Sequence, residues 1–312
     1  MNIYVSGSLA YDRIMDFPGR FSDHILPDKI HVLNVCFNVN GLAEKFGGTA
    51  GNIAYNLAML KEKPLILASA GKDFSHYEAW LKENGLSLEG IRVIPEEFTA
   101  GAYITTDRGD NQITGFNPGA MRYPSGFSIP DSGQGAIGIL SPGNIEDMLT
   151  YSREFKAKQI AFIFDPGQTT SAMSGKQVLE ILTGCDIFIS NDYELEMVLR
   201  MTGMTKSDLL AQTKRAIITT LAENGSLLAT HEKEVRIPAV PPRQVVDPTG
   251  AGDAYRAGLI KGLVSGRPLD TSARMGATCA SFAVECKGTQ EHRYTPETFW
   301  ARHHAFFDGK DS

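Results

Sequence analysis

Nothing in this 312-residue sequence is apolar for long enough to cross a bilayer as a helix. The longest unbroken apolar runs are about five residues, at 136–140 and 160–164, against the roughly 20 that a membrane helix needs. Cysteine is scarce: Cys36, Cys185, Cys279 and Cys286 are scattered with no C-x-x-C spacing, which argues against a disulfide framework or a zinc knuckle and for a reducing compartment. Excess positive charge is also missing. Lys and Arg total 30 against 36 Asp and Glu, a formal net charge of −6, so no global field draws the chain to nucleic acid or anionic lipid. The opening segment MNIYVSGSLAYD has no basic stretch leading into an apolar one, so no secretory signal is expected and the expected location is cytoplasmic. Several nucleotide signatures are absent too. There is no G-x-x-x-x-G-K-[ST] loop, and Gly250-Ala251-Gly252 is followed by Tyr255 where a dinucleotide fingerprint needs its third glycine. The His-Arg-Asp and Asp-Phe-Gly pair of protein kinases is missing, and His231-Glu232 lacks the second His of a zincin.

What is present is ordinary globular composition, 42% hydrophobic and 21% charged. The length suggests about two domains, or one large α/β unit with an addition. Short apolar runs alternate with helical stretches: a strand at 3–5, helix 51–60, strand 65–69, helix 77–84, strand 136–140, helix 145–157, strand 160–164, helix 174–183, strand 186–190, helices 192–201 and 206–213, and strand 215–220. Strands separated by helices need crossover connections, hence a mostly parallel sheet with helices on its faces. Such sheets bind ligands beyond the carboxyl ends of their strands.

Two stretches break the alternation. Residues 12–45 are rich in β-branched, aromatic and turn residues, with period-two alternation around Val32 to Val39. Residues 102–116 read strand, turn, strand, reversing at Asp107 to Asn111. Together they predict a small antiparallel sheet built from two insertions. A lid over the ligand edge and a sheet extension or dimer contact both remain open on spacing alone.

The densest chemical signal is Asp247-Pro248-Thr249-Gly250-Ala251-Gly252-Asp253, which runs straight into the helical AYRAGLIKGLV. Gly-Ala-Gly at a helix start exposes N–H groups at the positive end of the helix dipole, an anion site. A carboxylate directly after it suits a group that accepts the proton of a hydroxyl attacking a bound phosphate.

With Gly47-Gly48-Thr49-Ala50-Gly51-Asn52 near the N-terminus and Asn191-Asp192-Tyr193-Glu194 after a strand, DPTGAGD closely resembles the signatures of the PfkB, ribokinase-like family of ATP-dependent small-molecule kinases. The resemblance covers essentially the whole chain. It implies an α/β, three-layer ribokinase-like fold with a mostly parallel central sheet and a small β-flap lid. Residues 1–12, 46–100 and 118–312 would form the core with the ATP site, and 13–45 and 101–117 the lid over the substrate. It assigns Asp253 as catalytic base, Gly250, Ala251 and Gly252 as the anion hole, Glu194 as organiser of Mg²⁺, and Asn191, Thr220 and Gly225 as ATP contacts. In the turn Thr220 to Gly225, Ala222 stands where the family pattern has a glycine. On the acceptor side it assigns Ser8, Asp12, Gly47, Gly48 and Asn52; a carboxylate such as Asp12 accepts from two vicinal hydroxyls.

The string GGTAGNIAYNL lacks the Lys usual in sugar-specific ribokinases and, with NQITGFNPGAM and FDPGQ, looks like the bacterial adenosine and nucleoside kinase branch. Phe116, and alternatively Phe37, would stack on a purine, or either would form the flap's own core. The expected reaction is transfer of the γ-phosphate of MgATP to the 5′-hydroxyl of adenosine. The rivals are a ribose or fructose kinase, an inosine/guanosine kinase, and a catalytically silent nucleoside-binding protein. Lys287-Gly288-Thr289 resembles a loop that closes a monovalent-cation site in some relatives, which would make K⁺ an activator. A homodimer is a further expectation, with no nucleic-acid or membrane partner. Arg256 suits either a phosphate or a salt bridge, and His303-His304 reads as a solvated helix face.

Overall fold

The computed structural model describes residues 1–131 and 135–308. In chain order its elements are β1 (Asn2–Ser6), β2 (Ala10–Asp16), β3 (Ala43–Gly47), α1 (Thr49–Met59), β4 (Leu65–Gly71), α2 (Ser75–Glu83), β5 (Ile91–Ile94), β6 (Ala100–Thr106), β7 (Gln112–Asn117) and β8 (Ala136–Leu140). The second half comprises α3 (Ile145–Ala157), β9 (Ala161–Phe164), α4 (Gly175–Leu182), β10 (Ile187–Asn191), α5 (Asp192–Thr202), α6 (Lys206–Gln212) and β11 (Ala216–Thr220). The chain closes with β12 (Ser226–Thr230), β13 (Glu234–Ile237), α7 (Ala251–Val264), α8 (Leu269–Ala283) and α9 (Pro296–Phe307).

The large sheet has nine strands in the order β13-β12-β11-β10-β9-β8-β1-β4-β5. Pairing is parallel from β11 through β5, while β12 and β13 extend one edge as an antiparallel hairpin. That hairpin follows from its short connection, closed by the Thr230 N–H donating to the Lys233 carbonyl at 2.8 Å, where a parallel strand would need a crossover.

Both faces of the sheet are covered, and successive residues of a strand divide between two cores. Ile187 and Ile189 of β10 pack in the cluster that holds α1, α2, α7 and α8, whereas Phe188 between them packs with α3, α4, α5 and α6. This is why the strands read as continuous apolar runs. Against α8, α9 adds a third cluster around Phe299 and Tyr294. His303 belongs to this buried layer, with its Nδ1 3.0 Å from the Thr278 hydroxyl. The expected solvated face holds only for His304, because one turn of α9 places adjacent residues on different sides.

The second sheet has four strands, in the order β3-β2-β6-β7. It is mixed rather than antiparallel, because β2 and β6 pair in parallel at its centre. Both strands leave the core in the same direction, β2 after β1 and β6 after β5. The stretch 32–39 forms no strand either. Pro27–Val32 takes 3₁₀ turns, and Val32 and Leu33 stay exposed. Phe37 packs on Phe17 and Phe21, with ring centroids 4.8 and 5.1 Å away, so it belongs to the flap's own core. Period-two alternation had no neighbouring strand to bond with there.

Candidate active site

A cavity of about 670 Å³ opens at the carboxyl ends of the parallel strands. Its chemistry comes from two helix starts that face each other. The first is α1. Gly48 lies at φ +86°, and a Cβ there would sit 2.6 Å from the Ser8 carbonyl and 2.7 Å from the Ala10 amide, so only glycine lets the chain turn this closely over the β1–β2 connection. Asn52 then emerges on the first turn of α1, buried and lining the cavity.

The second helix start is α7. Gly250, at φ +80°, precedes it without any side-chain cap. The first helical bond runs from the Ala254 N–H to the Gly250 carbonyl at 3.0 Å, and the Ala251 N–H turns back to Pro248 at 3.2 Å. The amides of Gly252 and Asp253 thus precede the helical ladder and add to the positive end of its dipole.

Asp253 sits between these helix starts. Asn52 Nδ2 donates to its Oδ2 at 2.7 Å. Burial pushes the Asp253 carboxyl up to about 7; the Asn52 bond and nearby Arg256 offset part of that effect, while Asp165 and Asp12 add to it. A carboxyl poised near neutrality is suited to taking a proton at physiological pH.

Asp12 and Gly48 lie on the same cavity wall. Burial, with Asp247 nearby, raises the Asp12 carboxyl above its ordinary range. A Cβ on Gly47 would meet Asp12 Oδ2 at 2.8 Å, so that glycine makes room for the carboxylate. In register, Asp12 opposes Ala102 and Ala102 opposes Phe116; directly opposed residues share a face, so Phe116 stands on the Asp12 side of the small sheet. Phe116 itself is 53% exposed and is not part of the cavity wall. Ser8 is also off the wall: its hydroxyl accepts the Thr49 N–H at 3.0 Å beneath the α1 start.

The opposite end of the cavity is formed by Asn191, Glu194, Thr220 and Gly225. Asn191 ends β10 and caps α5 reciprocally with Glu194: Asn191 Oδ1 accepts the Glu194 N–H at 2.7 Å, and Glu194 Oε2 accepts the Asn191 N–H at 2.9 Å. Burial raises the Glu194 carboxyl, against the lowering effect of that N–H. Ala222 holds the left-handed conformation at φ +49°, so the turn keeps a glycine-like shape despite the substitution, at a strain of roughly 1–2 kcal/mol.

One residue here was not assigned a role by the sequence. Asp165, in FDPGQ just after β9, lies on the cavity wall, and Arg256 binds it as a buried ion pair. A carboxylate one residue past a parallel strand was the available signal for Asp165. Near Lys287-Gly288-Thr289, Asp247 Oδ2 accepts the Gly288 N–H at 3.0 Å, which ties that loop to the DPTG turn.

Residues 22–296 match the pfkB family carbohydrate kinase model. The chain is 32% identical over 259 residues to a nucleoside kinase of Methanocaldococcus jannaschii, covering 82% of this chain and 85% of that protein. Among solved structures, the nucleoside kinase of Burkholderia thailandensis in complex with inosine superposes with a TM-score of 0.86 at 33% identity, covering 98% of both chains. The same enzyme in complex with ADP-inosine gives a TM-score of 0.84 at 34% identity, covering 98% of this chain and 96% of that one. With the large parallel sheet, the smaller sheet and the matched helix starts, the chain belongs to the pfkB family of carbohydrate kinases and has the ribokinase-like fold.

Proposed function

We propose that this protein is an ATP-dependent nucleoside kinase that transfers the γ-phosphate of ATP to the 5′-hydroxyl of a purine nucleoside, adenosine foremost, giving AMP. The observation that carries this reading is Asp253: a carboxyl on the cavity wall, raised by desolvation to about 7, beside the amides that precede the helical ladder of α7 and accepting from Asn52. The inosine bound to a relative of the same fold supports a nucleoside acceptor, and its complex with ADP-inosine supports a nucleotide donor.

In this reading the 5′-hydroxyl of the acceptor donates to Asp253. As the O5′–P bond forms and the β–γ bridge breaks, the hydroxyl proton passes to the Asp253 carboxylate. The amides of Gly252 and Asp253 hold the transferring phosphoryl oxygens, where developing charge gains most from fixed donors. Gly250 and Ala251 shape that turn. Asp12 accepts from the vicinal ribose hydroxyls, with Gly47 and Gly48 allowing close approach and Ser8 fixing the start of α1. Asn191, Thr220 and Gly225 line the nucleotide end, where Val240, Val245 and Val284 offer an apolar wall to an adenine ring.

Mg²⁺ fits the donor set. It takes few carboxylates and keeps waters and phosphates, and Glu194 presents one carboxyl to the cavity while the Asn191 N–H occupies one of its oxygens. Bound with ATP, the ion would supply neutralisation of phosphate charge. Residues 13–45 and 101–117 act as a lid in this reading, excluding water as a competing acceptor. Phe116 would reach the base when the lid closes.

The test is an ADP-release assay with Mg²⁺ and ATP across adenosine, inosine, guanosine, cytidine, ribose and fructose. Turnover highest with adenosine, reduced by about 10²–10⁴ in Asp253→Asn, is the expected result. Turnover with ribose or fructose alone would replace the acceptor; no turnover with any of them would favour a silent nucleoside binder.

A further inference from the structure

Behind Asp253 lies a run of buried amide and hydroxyl groups that reaches α2. The Trp80 indole Nε1–H donates to Gln290 Oε1 at 2.9 Å. Gln290 Nε2 donates to Asn52 Oδ1 at 3.0 Å and to the Tyr77 hydroxyl at 2.6 Å. The Tyr77 hydroxyl in turn donates to the Gly47 carbonyl at 2.8 Å. Asn52 Nδ2, finally, donates to Asp253 Oδ2. Gln290 is 1% exposed and Tyr77 fully buried, so water does not substitute for the partners at the centre of the run.

The directions of the bonds in this run are set by two groups that cannot exchange roles: the Gly47 carbonyl, which only accepts and so takes the Tyr77 hydroxyl as its donor, and the Trp80 indole. An indole N–H donates and never accepts. Trp80 therefore requires the oxygen of Gln290, which turns the Gln290 NH₂ toward Asn52. That NH₂ requires the oxygen of Asn52, which leaves the Asn52 NH₂ facing the carboxylate. Reversing Gln290 would set NH₂ against N–H at Trp80 and present the Asn52 oxygen to Asp253. We propose that Gln290 and Trp80 are positioning residues for Asp253: the indole orients the Gln290 amide, and the Gln290 amide orients Asn52 so that it donates to the base.

This inference rests on the reading of Asp253 as the base, and it adds two residues that touch neither acceptor nor phosphate. An amide that donates to a carboxylate favours its ionised form, the form that accepts a proton. The other charged groups facing Asp253 are Arg256 on its own helix, Asp165 after β9 and Asp12 on β2; Glu194 on α5 acts on Arg256. None of them belongs to the Trp80–Gln290 run.

The experiment follows the Asp253 carboxyl directly, by carbon NMR of protein labelled at aspartate Cγ, with the signal assigned by its loss in Asp253→Asn. In Gln290→Met, Asn52 is released and the midpoint of the Asp253 titration rises by about one pH unit or more. Trp80→Phe keeps an aromatic ring at the position that stacks on Phe46, 5.2 Å away at 15°, removes the N–H together with the pyrrole half of the indole, and moves the midpoint in the same direction. The acid limb of kcat moves with it, while the KM for ATP stays unchanged; a role in packing alone would lower Tm and leave the midpoint in place. A wild-type midpoint in folded Gln290→Met overturns the proposal, and if that variant does not fold, Trp80→Phe decides by the same criterion. Because the titration needs no turnover, the two readings separate. An inactive wild type with a shifted midpoint sinks the kinase reading, and an active enzyme with an unmoved midpoint sinks only the positioning role.

Discussion

Arg256 holds Asp165 with two hydrogen bonds, Nε to Oδ2 at 2.8 Å and Nη2 to Oδ1 at 3.0 Å, with only 7% and 3% of the two side chains exposed. A third donor, Nη1, reaches the Gly252 carbonyl at 3.2 Å. The pair thus fastens the turn that carries the α7 amides to the loop after β9. Of the two sequence readings of Arg256, the salt bridge is what the structure contains.

Arg256→Met leaves Asp165 as an uncompensated buried charge, and we expect a loss of about 3–5 kcal/mol in urea unfolding. Replacing both partners, Arg256→Met with Asp165→Leu, should recover most of that stability because no buried charge is left behind. If the single and double variants unfold alike, the pair does not carry this charge compensation.

The raised Asp253 carboxyl sets two pH dependences of defined sign. A protonated carboxyl cannot accept a proton, so kcat/KM for the nucleoside declines as pH falls through about 7. For stability, a folded-state value of about 7 against the ordinary 3.8 means that the folded protein binds the extra proton. That contribution is fully present below about 3.8 and is lost as pH rises through about 7. Asp253→Asn should therefore melt above the wild type at pH 8, with the gap narrowing toward pH 4 in a calorimetric series. A gap that widens on acidification would reverse the sign and refute the assignment.

Phe116 shares a sheet face with Asp12 while half exposed. If it stacks on the base in the closed state, Phe116→Ala raises the KM for nucleoside by about 5- to 160-fold, corresponding to roughly 1–3 kcal/mol of stacking. The KM for ATP and the Tm should stay as they are. Equal rises in both KM values would remove Phe116 from the acceptor site.

Gly48 and Gly85 separate backbone strain from collision. Both have positive φ, but a Cβ at Gly48 runs into the Ser8 carbonyl, whereas one at Gly85 meets nothing within 4 Å. Gly85→Ala should cost about 1 kcal/mol. Gly48→Ala should cost about 3 kcal/mol or more, from strain plus displaced backbone, and should also lower turnover because α1 carries Asn52. Similar melting temperatures for the two variants would show that the α1 start yields without cost.

Where the chain bonds locally, its residues announced their structure. Strand and helix alternation from β8 to β11 appeared as apolar runs because both sheet faces are buried, and the α7 start appeared as glycines next to an aspartate. The 32–39 stretch misled for the complementary reason: alternation marks a strand only where another strand lies alongside, and here Phe37 turns instead to the Phe17–Phe21 cluster while Val32 and Leu33 stay exposed. Likewise, nothing local in β2 or β6 indicates that they run parallel, since that depends on where each leaves the core.

The sequence by itself determined the short-range devices: Gly48 and Gly250 at positive φ, the Asn191–Glu194 capping box, and an acid directly after exposed amides. These depend on backbone conformation within a few residues. The tertiary structure alone decided that Asp165 meets Arg256, that Asn52 donates to Asp253, and that Gln290 stands between Asn52 and Trp80. Those partners lie from 91 to 238 residues apart, and only closure of the sheet and its two helical layers removes the water that would otherwise take each hydrogen bond.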